Sequence, residues 1–124
     1  MRSVRFLDDS RGATAVEFGL SAPAFLLLVF GIIEGGFMLW TQFSLQHGVE
    51  MGARCGSVNT TLCPGNTAIQ SYAAANAYGL NPPVSTFTVS TPSCGTQVSA
   101  SYAFPMVTGL FGSMTLTAQS CFPK

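Results

Sequence analysis

Residues 18–33 contain no charged side chain, and the apolar run resumes after Glu34 through Gly35-Gly36-Phe37-Met38-Leu39-Trp40. About 20 apolar residues cross a hydrocarbon core of ~30 Å, so the pattern predicts one membrane-spanning helix over about residues 16–40. The pattern then turns amphipathic. Leu45, Val49 and Ala53 recur at the i, i+4, i+8 spacing of one helical face, Glu50 and Arg54 stand as an acid-first i, i+4 pair, and Gly56 is a natural stop. The helix therefore continues beyond the membrane as a stalk. From Ala13 to Cys55 it counts about 40 residues, or roughly 60 Å at 1.5 Å per residue.

Beyond the stalk the periodicity changes twice. Asn66-Thr67 can cap a short helix over 68–78, whose apolar side is Ile69, Tyr72, Ala73 and Ala77; Gly79 ends it and Pro82-Pro83 prevent continuation. Three stretches then alternate with the period of a strand: 84–90, 97–103 and 115–121. Thr91-Pro92-Ser93-Cys94-Gly95 and the stretch from Phe104-Pro105 to Gly112 separate them as turns. The economical arrangement is α+β: a three-stranded antiparallel meander covering the short helix and the stalk.

Charge sharpens this division. The five Lys and Arg balance the five Asp and Glu, and after Arg54 only Lys124 is charged. No basic stripe exists for a nucleic acid. An outer part so poor in charge is weakly protected from association, which points to packing against partners or a membrane face; a neutral Ser, Thr, Asn and Gln exterior is the alternative. With the membrane segment set aside, roughly 70 residues remain, a marginal number for a self-sufficient core. Cys55, Cys63, Cys94 and Cys121 all fall in this part, and none forms a C-x-x-C pair. They read as disulfides of an oxidising compartment rather than as a zinc or redox site. Three pairings are possible. Cys55–Cys63 closes the loop after the stalk, and Cys94–Cys121 joins the start of the middle strand to the end of the last, so this pairing is favoured. Loop-closure entropy values the two bonds at about 2.5 and 3.5 kcal/mol.

The N-terminal end carries the sharpest signal. Arg2, Arg5 and Arg11 precede the apolar run, against Arg54 beyond it; the positive-inside bias places the N-terminus in the cytoplasm and residues 56–124 outside. The run is too long for a secretory h-region of ~7–15 residues. Cleavage after Gly12 fits the residues better, because it removes a basic leader of residues 1–12 and keeps the helix. Ala13 then becomes a free α-ammonium one turn from Glu17. A carboxylate inside a bilayer helix costs a few kcal/mol and is a functional-site hypothesis by default. Among parallel helices, Glu17 can pair with the ammonium of a neighbour and fix the axial register; the plainer reading has it reach headgroup water.

Arg11-Gly12-x-x-x-Val16-Glu17-Phe18, followed by Pro23, an aliphatic run and Gly31-Ile32-Ile33-Glu34, resembles the start of TadE-like proteins, pilin-like components of tight-adherence pilus systems. Ser101-Tyr102-Ala103-Phe104-Pro105 and Met114-Thr115-Leu116-Thr117-Ala118 are similar to the far end of that family. The resemblance implies a pilin-like fold, cleavage between Gly12 and Ala13 by a prepilin peptidase, and a part in building a pilus. It implies the bacterial inner membrane, other pilin-like subunits met through the N-terminal helix, and a periplasmic C-terminal domain that is extracellular once assembled.

Two features interrupt the long helix. Pro23 has no N–H for the carbonyl of Gly19, which predicts a kink there. Gly31-x-x-x-Gly35 makes a small-residue patch for close helix approach, and Gly48-x-x-x-Gly52 repeats the spacing outside. Glu34, in the same turn as Gly31 and Gly35, either meets a partner's donor or marks the membrane edge. Catalytic chemistry is not in view: His47 is the single histidine and no carboxylate follows Glu50, so the outer part has no general acid–base pair. The sequence calls for no enzyme activity, cofactor, metal or small-molecule substrate. Its leading function is a cleaved pilin-like subunit; the alternatives are an uncleaved, signal-anchored periplasmic scaffold of the pilus machine and a pilus-tip adhesin.

Overall fold

The computed structural model describes residues 10–107, 109 and 112–124, with the side chains of Ser10 and Arg11 left aside. Residues 1–9 of the expected leader lie outside the described residues. The chain is α+β: a long helix α1 (Ser10–Val58), a short helix α2 (Asn66–Ala75), and strands β1 (Phe87–Ser90), β2 (Thr96–Phe104) and β3 (Met114–Phe122). It divides into two compact units, residues 1–35 and 36–124.

In the first unit the described residues are all helical, and the helix runs through Pro23 without a break. Val16, Phe18, Leu20, Phe25, Leu27, Leu28, Phe30 and Ile32 are all exposed. They point in every direction around the axis, as expected for a helix whose solvent is lipid or other helices rather than a protein core. By length and composition this helix can cross a membrane.

The second unit is built on the amphipathic part of α1. Leu45, Val49 and Ala53 are fully buried, on the face that the spacing predicts. Against them pack Ile69, Ala73 and Ala77, the apolar side of α2 and the turn after it, and Phe87, Val98, Ala100 and Ala118 from the sheet. The sheet is an antiparallel meander in the order β1-β2-β3. Its register aligns Phe87 with Ala100 and Ala100 with Ala118, so the buried residues of three strands share one face. The disulfides join Cys55 to Cys63 and Cys94 to Cys121.

Three details differ from the sequence reading. The long helix extends past Gly56 to Val58, because Gly56 serves as a contact and not as a stop: a Cβ there would lie 2.6 Å from Ile69 Cδ1. The short helix is entered from Gly65 with no side-chain cap, and it ends at Ala75, where Asn76 Nδ2 donates to the carbonyl of Tyr72 at 2.8 Å. The first strand loses its first three residues to a 3-10 turn, Val84–Thr86. Pro83 sets the entry to that turn, and its carbonyl accepts from the Thr86 N–H at 2.9 Å.

Candidate functional site: the exposed face of the long helix

At 3.6 residues per turn, positions 18 apart return to the same face after five turns. Glu17 and Gly35 are so related, and Gly31 lies about 40° from both. The helix thereby gathers the carboxylate and the two glycines on one stripe. Glu34 stands about 100° away from Glu17 and is half-buried. Pro23 falls off the stripe. Glu17 is exposed, and Cβ atoms built at Gly31 and Gly35 meet nothing within 4 Å. Near Pro23, the Ser21 hydroxyl donates to the Phe18 carbonyl at 3.3 Å, a local bond of the kind that helps hydroxyl side chains bend helices. Gly12 and Ala13 lie inside α1, which starts at Ser10.

The outer glycines behave differently. A Cβ at Gly48 would lie 2.8 Å from the Ala73 carbonyl oxygen, and one at Gly52 would lie 2.9 Å from Ala73 Cβ. With Gly56 they form a groove one helical turn apart, and α2 lies in it. This spacing belongs to the fold of the second unit and not to assembly. The third glycine and the small residues Ala73 and Ala77 are the sequence signals for it.

Polar residues of α1 hold the outer domain in place, and periodicity alone does not reveal them. Gln42 Nε2 donates to the Thr117 carbonyl at 2.8 Å, Ser57 Oγ to the Phe122 carbonyl at 2.9 Å, and Ser44 Oγ to the Tyr78 carbonyl at 3.0 Å. His47 Nδ1 lies 3.0 Å from the Asn76 carbonyl, a geometry in which Nδ1 carries the proton and donates. Its ring rests against Tyr78 with centroids 4.9 Å apart. Glu50 accepts from Gln46 Nε2 at 3.0 Å, one turn towards the N-terminus from the pairing expected with Arg54. Among the described residues no group of His, Cys, Asp and Glu is arranged to hold a metal ion.

Residues 12–54 match the family model described as TadE-like protein. The match covers the helix that carries Gly12, Glu17, Pro23, Gly31, Glu34 and Gly35, about a third of the chain. No curated protein and no solved structure matches the chain.

Proposed function

We propose that the protein is a structural subunit of a tight-adherence pilus, cleaved between Gly12 and Ala13 by a prepilin peptidase and assembled through the exposed helix. The observation that carries the reading is the TadE-like match over 12–54 on a helix whose apolar side chains face outward all round. Such a surface is stable only in lipid or among other helices, and a pilin-like subunit needs both in turn. In the inner membrane the arginines before the run keep the N-terminus cytoplasmic, and the disulfide-bonded domain faces the periplasm.

On this reading Glu17 pairs with the α-ammonium of Ala13 in a neighbouring subunit. Removal from water is costly for each charge alone and is offset when they meet. The stripe of Glu17, Gly31 and Gly35 then lies against the neighbouring helix, with the glycines permitting close approach. Pro23 loosens the hydrogen-bond ladder at Gly19.

The test is the intact mass of the protein from cells with and without the peptidase. Loss of residues 1–12 only when the peptidase is present is the expected result. A full-length chain in both strains would overturn processing and leave a permanent membrane anchor.

A further inference from the structure

Two hydrogen bonds fix how the sheet runs along α1 in the second unit. Gln42 holds Thr117, and Ser57 holds Phe122. The fifteen-residue step from Gln42 to Ser57 rises about 22 Å, and the five-residue step from Thr117 to Phe122 extends about 17 Å. These lengths match closely enough that β3 runs along α1 in the same direction. Carried back from Thr117, the strand reaches Met114 about 10 Å further on, equivalent to about six residues of helix rise. Met114 therefore lies near the level of Gly36, where the second unit begins and the apolar run of α1 is ending. The β2–β3 hairpin, paired to Phe104 and Met114, turns at that end.

The two turns of this one sheet have opposite chemistry. The β1–β2 turn, at the opposite end, reads Thr91-Pro92-Ser93-Cys94-Gly95. The β2–β3 turn opens with Pro105-Met106-Val107, and Val107 is 91% exposed, the most exposed large apolar residue among the described residues. Trp40 shares the apolar end: its Nε1 lies 3.6 Å from a Cβ built on Gly79, in the turn that Ser44 holds through Tyr78. Trp40 and Tyr78 are 61% and 60% exposed. Exposed Trp and Tyr near the level of an uncharged apolar hairpin are the composition of a membrane–water interface.

We infer that the β2–β3 hairpin is a second membrane contact, with Met106, Val107 and Met114 entering the headgroup and upper acyl region at the level of Trp40. The occupant of this surface is the outer leaflet of the bilayer that holds α1, so the inference rests on the membrane reading above. Continuity selects that occupant: the hairpin lies at the end of the outer domain that the apolar run of α1 enters. A domain held at both points is fixed in tilt and rotation over the bilayer. Entry of the subunit into a filament then requires the hairpin to leave lipid together with the helix.

The full chain reconstituted in phosphatidylcholine vesicles, with and without brominated acyl chains, tests this by tryptophan fluorescence. Native Trp40 reports on the helix. Val107→Trp in a Trp40→Phe background reports on the hairpin, and Thr60→Trp in the same background reports on the exposed loop after Val58, at the far end of α1. The expected result is loss of emission to bromolipid for Trp40 and for the reporter at 107, with a blue shift. The reporter at 60 should be quenched only by aqueous iodide. If Trp40 is quenched by bromolipid while the reporter at 107 responds to iodide alone, the hairpin contact is wrong and the membrane helix stands. If the reporter at 107 is shielded from both quenchers, a protein contact replaces the lipid one and the inference fails. If Trp40 itself escapes bromolipid, the membrane reading fails, and the hairpin contact with it.

Discussion

Two pairs of glycines on one helix, at the same spacing, have different fates. Gly48 and Gly52 meet the backbone carbonyl and Cβ of Ala73, where a side chain forces the two helices apart. Gly48→Leu should lower stability by about 1–3 kcal/mol, the usual cost of overpacking, read as a fall in the unfolding midpoint of the purified protein in detergent. Gly31→Leu fills open space within the chain and should leave that midpoint unchanged while reducing assembly. Equal midpoints for both variants would refute the division. Glu17→Ala belongs to the same scale. On the proposed pairing it removes the partner of a desolvated ammonium, a loss of about 3–5 kcal/mol where the remaining charge stays buried. The protein should reach normal levels in the membrane fraction while filaments are lost. Normal piliation would reduce Glu17 to a helix-end residue in contact with headgroup water.

At the scale of elements, the outer domain depends on closures more than on area. Its core is small: five Ala and two Cys stand among the buried residues beside Leu45, Val49, Ile69, Phe87 and Val98. The two disulfides span sequence separations of 8 and 27. Replacing Cys94 and Cys121 together by Ala should cost about 3.5 kcal/mol, and replacing Cys55 and Cys63 about 2.5 kcal/mol, if loop closure dominates. Denaturant titration of both double variants checks the order. A larger loss for the short loop would show that Cys55–Cys63 acts instead by packing, since both of its cysteines are buried. The 3-10 turn at Val84–Thr86 shows how an element is set from outside its own pattern. Residues 84–86 alternate like the strand that follows, yet the Pro83 carbonyl captures the Thr86 N–H and delays entry into the sheet to Phe87.

For the whole molecule the decisive property is the asymmetry of charge. Arginines lie ahead of the apolar run, and Lys124 is the lone charge after Arg54. The proposed topology predicts that alkaline phosphatase fused after Lys124 is active, because that enzyme needs an oxidising compartment, whereas a fused reporter that works only in the cytoplasm stays silent. The reverse result would invert the topology. It would also leave both disulfides in a reducing compartment, where such bonds do not persist.

The elements and their order are written locally along the chain. An uncharged run of membrane length, the Leu45-Val49-Ala53 face and the alternation in 97–103 and 115–121 are local, periodic signals, and periodicity survives without knowledge of what an element touches. Cys55–Cys63 and Cys94–Cys121 were also legible, because strand order in a meander places residue 94 beside residue 121. On the candidate assembly helix, Gly12, Glu17, Gly31 and Gly35 were legible as residue types in unusual places, and the helix then set three of them, Glu17, Gly31 and Gly35, on one stripe. The remaining features depend on partners distant in sequence. Gly48, Gly52 and Gly56 line a groove because Ala73 and Ile69 enter it, and no property of a glycine announces which helix will arrive. The bonds from Gln42 to Thr117 and from Ser57 to Phe122 bridge 75 and 65 positions, far beyond any periodic signal. They set the direction of the sheet along the helix, and so which of its two turns stands at the apolar end.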